Sequence, residues 1–261
     1  MKTKQYHPIR GAVLSMLSAG LYYIMASAVV SLAVSDANSI LSELIRIISL
    51  VPLLLLYKLW HRKELPHLFG IAGTARGVLL GWSMLLMGAI VAVSNLLQGD
   101  VGSIPYAFFA GFVPGFSEEV IFRVLPLSLV FQRSQEPKEL MKASLVISLC
   151  FGLIHGGNLL IGADPTSTLL QVLYAIGIGM LLAGIYLKTG SFWPCVILHT
   201  WVDAASSISK SLQESSGVLT RTHTTLEIII LLAFTIAFYV NAFMVFKVKQ
   251  DSGVSEEMGL Q

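Results

Sequence analysis

The chain alternates long apolar runs with short polar breaks. Eight windows of roughly 20 apolar residues, the length a helix needs to cross hydrocarbon, fall at 11–34, 39–58, 78–98, 105–131, 140–157, 167–187, 192–209 and 225–246. Each predicts a membrane-spanning helix. The windows at 140–157 and 192–209 are short, which predicts helices that tilt or end within the protein. The longest break, 61–77, holds a short apolar stretch at 68–72 that suits the membrane interface. The tail 251–261 is polar and predicted to be disordered and cytoplasmic. With no internal repeat and no low-complexity segment, the expectation is an all-α polytopic integral membrane protein. It has about eight transmembrane helices in one bundle, a single transmembrane domain over 1–250, and an intramembrane polar site.

Charge orients these windows. With the N-terminus in the cytoplasm, thirteen basic residues fall on inside segments, and the outside loops hold only Lys210 and Arg221. That bias follows the positive-inside rule and predicts an even number of spans in the cell membrane with both termini cytoplasmic. Lys2, Lys4 and Arg10 precede the first apolar run as in a signal peptide, but the run is longer than a 7–15-residue leader core. It is read as a retained first span, with cleavage after Ala26-Ser27-Ala28 as the alternative.

Composition agrees. Hydrophobic residues make up 55% of the 261, charged residues 12%, and the mean hydropathy is +0.76. Soluble domains average about 25% charged residues, so a soluble core-and-surface fold is excluded. A net charge of +2 gives no case for a nucleic-acid partner. Cys150 and Cys195 lie in apolar segments without a CxxC pattern and read as packing residues rather than a disulfide.

Against this background the ionisable residues inside spans stand out, since each costs roughly 2.5–3.5 kcal/mol on insertion scales. The fourth window holds Phe116-Ser117-Glu118-Glu119-Val120-Ile121-Phe122-Arg123. Pro114-Gly115 is expected to kink or break this helix, with Ser117 capping the restart and both glutamates in its first turn. Glu119 and Arg123 are four apart and can neutralise each other. Glu118 lies about 100° round the helix and is left to act as a base. A structural ion-pair cluster is the plainer reading, but one pair needs no second glutamate.

The fifth window ends Phe151-Gly152-Leu153-Ile154-His155-Gly156-Gly157. Phe151 can pack on the His155 ring at i, i+4, and Gly156-Gly157 suits a helix stop. In the seventh, His199 and Asp203 are also four apart. The carboxylate can fix the histidine tautomer, the pair can bind water or a metal, or it can simply join helices. Glu43 and Arg46 can pair locally, Glu227 lies near the outer end of the last span, and Gly177, Gly179 and Gly184 suit close helix packing.

Three motifs together, Glu118-Glu119-x-x-x-Arg123, Phe151-x-x-x-His155 and His199-x-x-x-Asp203, resemble the CPBP family of intramembrane proteases, also called the Abi or CAAX-protease-like family. The resemblance covers about 105–205 and implies an eight-helix layout and peptide hydrolysis inside the bilayer. By carry-over, Glu118 is the general base, helped by His155, Glu119 orients Arg123, and His199 with Asp203 holds the water or the oxyanion. The prenyl-protease branch is similar but has asparagine at the position of Asp203. An ionised aspartate only accepts hydrogen bonds, so Asp203 must be protonated, orient His199 or bind a cation. The implied substrate is a membrane-embedded or lipidated peptide, in protein processing or in bacteriocin self-immunity.

Two histidines and two carboxylates (Glu118, His155, His199 and Asp203) can also supply a zinc site. Without a His-Glu-x-x-His motif, glutamate-activated water with no cofactor is the favoured reading. A proton- or cation-coupled transporter built on the buried carboxylates and a non-catalytic scaffold are the competing functions.

Overall fold

The computed structural model describes residues 8–34, 40–61, 70–98, 104–208, 224–251 and 253–254. Every element among them is helical. The first window is α1 (Pro8–Ala33), and the second divides into α2 (Ile40–Ile48) and α3 (Leu50–His61). The third divides into α4 (Thr74–Leu80) and α5 (Trp82–Gln98). The fourth is α6 (Ile104–Glu119), a π-helical turn (Val120–Val124) and α7 (Leu125–Phe131). Then come α8 (Pro137–Ile154) with a 3-10 extension (His155–Ile161), α9 (Pro165–Thr189), α10 (Trp193–Ser207) and α11 (Thr225–Lys247).

Among the described residues four helical segments are long and apolar enough to cross a membrane: α1, α8 with its extension, α9 and α11. The α4–α5 pair, bent by 73°, makes a fifth if it counts as one span. The chain is therefore an all-helical membrane protein. On length alone the expected eight spans are not reached. The second and fourth windows are interrupted, and α10 has only 15 residues. Large apolar side chains on α1 and α11 face outward, as lipid-exposed helices require.

Close crossings build the bundle. The most extensive helix contact joins α6 to α10, followed by α9 with α11 and α8 with α9. The glycines expected to pack in the sixth window do so. A Cβ at Gly179 would fall 2.9 Å from Ser148 Cβ on α8, and one at Gly177 would fall 3.1 Å from Phe238 Cβ on α11.

Gly81 marks the α4–α5 bend, and a Cβ there would overlap Leu198 of α10 at 2.3 Å. Asn241 of α11 reaches across this bend. Its Oδ1 accepts from Ser83 Oγ at 2.8 Å and from Ser83 N–H at 3.3 Å, and its Nδ2 donates to Leu80 O at 2.9 Å. Two of those bonds serve backbone groups, Ser83 N–H and Leu80 O, that the break leaves without helical partners.

Thr224 and Glu227 form a reciprocal capping box at the start of α11, which gives the glutamate at that end a structural role. Arg46 donates to Ser31 Oγ on α1 at 3.1 Å, while the Glu43 side chain expected to pair with it lies outside the described residues. Residues 68–69 of the 68–72 stretch and most of the tail lie there too. The start of the tail is docked rather than loose. Asp251 pairs with Arg76 and its N–H donates to Lys188 O at 2.8 Å, and Val254 is buried. Both cysteines are free thiols.

Candidate active site

Pro114 does not break its helix, because α6 runs on from Ile104 to Glu119 with the proline inside. Ser117 is no cap either. Its Oγ donates back to Val113 O at 2.7 Å, the mid-helix bond that serine makes when it has no terminus to cap. The helix-dipole placement expected for the two glutamates is thereby withdrawn. They close α6, immediately before the π-helical turn, where Leu125 N–H donates to Val120 O five residues back. Such single wide turns recur at functional sites.

Glu119 and Arg123 are the buried charges of this stretch, with side chains 0% and 1% exposed. Arg123 Nη1 lies 2.9 Å from Glu119 Oε1. This is a charge contact off the N–H axis, since neither guanidinium Nη makes an aligned hydrogen bond among the described residues. The guanidinium carbon stacks 4.4 Å over the Phe151 ring, a cation–π contact that strengthens in a desolvated setting.

The same Glu119 oxygen lies 2.7 Å from His199 Nδ1. An ionised carboxylate only accepts, so Nδ1 carries the proton and Nε2 points the other way. The expected partner, Asp203, is instead at the far nitrogen, with Oδ2 3.5 Å from Nε2. Glu118 Oε2 lies 3.7 Å from that same Nε2. The imidazole thus separates two environments. Glu119 and Arg123 are sealed behind it, while Glu118 and Asp203 in front are 27% and 35% exposed. Both front distances exceed a direct hydrogen bond and leave room for a shared water or substrate atom.

His155 joins the group through Phe151. That ring meets His155 edge-on at 5.2 Å and His199 edge-on at 6.0 Å, so it spaces the two imidazoles. The α-helix ends at Ile154, just before Gly156-Gly157. The chain tightens into the 3-10 turn that starts at His155 and ends at Gly162, whose φ of 87° suits glycine. His155 Nδ1 lies 3.4 Å from Gln171 Nε2 of α9, and Gln171 Oε1 accepts from Asn158 Nδ2 at 2.8 Å.

All six candidate residues therefore sit on α6 with its π turn, the end of α8, and α10. Residues 100–205, about two-fifths of the chain, match the family model described as type II CAAX prenyl endopeptidase Rce1-like. That is the family the three motifs resemble, and the matched stretch contains every one of them. The segment is similar to the CPBP family. No curated protein matches the chain.

The matched segment owes its geometry to residues outside its motifs. At Gly111 a Cβ would fall 2.5 Å from Ala204 N and 2.7 Å from Thr200 O, and at Gly115 one would fall 2.8 Å from Thr200 Oγ1. These two glycines let α6 lie against the α10 backbone, which brings Glu119 to His199. Gln171 and Asn158 went unremarked in the sequence, although a glutamine in an apolar window is a visible signal. Tyr174, three residues after Gln171, lies within electrostatic range of Asp203. Among the described residues no three His, Cys, Asp or Glu side chains converge as a metal-holding set. Glu118, His155, His199 and Asp203 thus do not form a ready zinc site.

Proposed function

We propose that this protein is an intramembrane endopeptidase that hydrolyses a peptide bond of a membrane-associated or lipidated peptide with water activated by Glu118. The carrying observation is the polarity of His199. Its Nδ1 side is closed by buried Glu119, and its Nε2 side opens between two accessible carboxylates. Water bound in front of His199 loses one proton to Glu118 as its oxygen attacks the substrate carbonyl carbon. Glu118 then passes that proton to the leaving nitrogen as the C–N bond breaks, leaving a carboxylic acid and an amine, which become a carboxylate and an ammonium once the second water proton moves from the acid to the amine. A positioned general base of this kind contributes about 10²–10⁴-fold. Glu119, held by Arg123, keeps His199 in place. Asp203 keeps Nε2 directed at the water.

In the bilayer the eight apolar windows serve as eight crossings, with both termini cytoplasmic. This reading uses the interrupted 104–131 helix and short α10 as spans that carry the site between longer neighbours.

The test is to give purified protein in liposomes a set of membrane-anchored peptides and to follow fragments by mass together with proton and cation flux. Fragments without flux are expected. Flux without fragments, abolished by Glu118→Gln, would establish the transporter reading instead.

A further inference from the structure

Two hydrogen bonds run in opposite directions between α5 and α10. The Trp201 indole of α10 donates to Leu85 O of α5 at 3.1 Å, and the Asn95 amide of α5 donates to Ala205 O of α10 at 2.8 Å. Asn95 is buried. Ala205 O lies in the last turn of α10, among the carbonyls that a helix leaves without an internal partner. The indole reaches Leu85 because position 88 carries no side chain. A Cβ at Gly88 would fall 2.2 Å from Trp201 Nε1. Leu85, Gly88 and Asn95 all precede the matched segment, which starts at residue 100.

Both bonds hold the back of the helix that carries the site. At about 100° per residue, His199 and Asp203 share one face of α10, and Trp201 and Ala205 lie roughly opposite. Leu198, beside them on that back face, fills the space that Gly81 of the α4–α5 bend leaves. Gly111 and Gly115 of α6 set how closely α10 approaches, through Thr200 and Ala204 on its flank. The roll of α10 about its own axis is left to the α5 contacts. An atom about 6 Å from a helix axis moves about 1 Å when the helix turns by about 10°. His199 Nδ1 has to stay 2.7 Å from Glu119 while Nε2 stays between Glu118 and Asp203, so the site tolerates little roll.

We propose that Trp201 and Asn95 are positioning residues, and that their two bonds between α5 and α10 fix the roll of α10 and hold His199 and Asp203 toward Glu118. The effect of these bonds on rate rests on the endopeptidase reading, whereas their effect on geometry does not. Interhelical bonds of this kind survive in a bilayer because no water competes for their partners.

Protein labelled with 15N-histidine in nanodiscs reports the geometry through the His199 Nδ1 proton, which a short bond to a carboxylate shifts downfield. The resonance is assigned by its loss in His199→Gln. Trp201→Phe keeps an aromatic ring and loses the N–H, and Asn95→Leu loses the amide from the other helix, so either folded variant is decisive. Each should move the resonance upfield and lower kcat by about tenfold, with KM within about threefold of wild type. Asn95→Gln keeps a donor and should lie closer to wild type than Asn95→Leu on both readouts. Asn241→Leu, whose lost bonds stop at the α4–α5 bend, should leave resonance and kcat unchanged. A folded Trp201→Phe or Asn95→Leu with the wild-type resonance and kcat would overturn the proposal. An equal shift in Asn241→Leu would overturn it too, as general loosening of the bundle. Resonances that move as expected in a protein that cleaves no peptide would count against the endopeptidase reading alone.

Discussion

Glu119 Oε1 accepts from His199 Nδ1 at 2.7 Å across 80 residues of chain, and the same oxygen meets Arg123 at 2.9 Å. One buried oxygen thus ties α6 to α10 and sets which face of the imidazole meets substrate. The two adjacent glutamates have different work for that reason. Glu119→Gln should destabilise the protein by about 3–5 kcal/mol, since Arg123 is left buried without its counter-charge. Glu118→Gln, on the accessible side, should cost less than about 1 kcal/mol. Reversible unfolding in mixed micelles, followed by circular dichroism, separates the two. Equal losses would mean that Glu118 is also a structural ion.

Gly111→Ala should act at a distance from the chemistry. Its Cβ would fall 2.5 Å from the backbone nitrogen of Ala204, and backbone cannot swing aside. The helices must part, at a cost of about 1–3 kcal/mol. A misplacement of about 1 Å in the Glu119–His199 contact should lower kcat by about 100-fold. Peptide cleavage beside the unfolding curve checks both figures. Full activity in Gly111→Ala would show that the α6–α10 approach has slack.

Asp203 separates an acceptor role from a donor role. At 3.5 Å from His199 Nε2, beyond a direct hydrogen bond, it offers an acceptor oxygen to water shared with the ring. The Asp203→Asn variant still offers an acceptor oxygen, so cleavage should stay within about threefold of wild type, whereas Asp203→Leu should lose about tenfold or more. If Asp203→Asn is as inactive as Asp203→Leu, the charge itself is required.

A control lies at the α4–α5 bend. Asn241→Leu removes three hydrogen bonds at the α4–α5 bend. Interhelical hydrogen bonds in membranes average about 0.6 kcal/mol, so a loss of about 1–2 kcal/mol is expected. The Asn241 amide bonds to Ser83 and Leu80 and to none of the six candidate residues, so kcat should hold at temperatures well below unfolding. A matching loss of kcat would couple the bend to the site.

Hydropathy alone located the helices, because a bilayer demands long apolar runs and punishes charge. The same penalty made Glu118, Glu119, Arg123, His199 and Asp203 conspicuous. Spacing shows neighbours on one helix and therefore suggested Asp203 as the partner that fixes His199. It cannot show Glu119 arriving from 80 residues away. Pro114 misled for a related reason. Its cost to the helix is offset by packing at Gly111 and Gly115, which depends on α10. Gly156-Gly157 marked the end of the α-helix but not the 3-10 turn that follows and keeps Asn158 beside Gln171, a contact formed only once α8 and α9 pack.

The most direct test of the central claim is cleavage of a membrane-anchored peptide in liposomes at equal amounts of folded wild-type and Glu118→Gln protein. If Glu118 is the base, the variant should bind the peptide normally and cut it about 10²–10⁴-fold more slowly. Cleavage by folded Glu118→Gln at the wild-type rate would contradict the account.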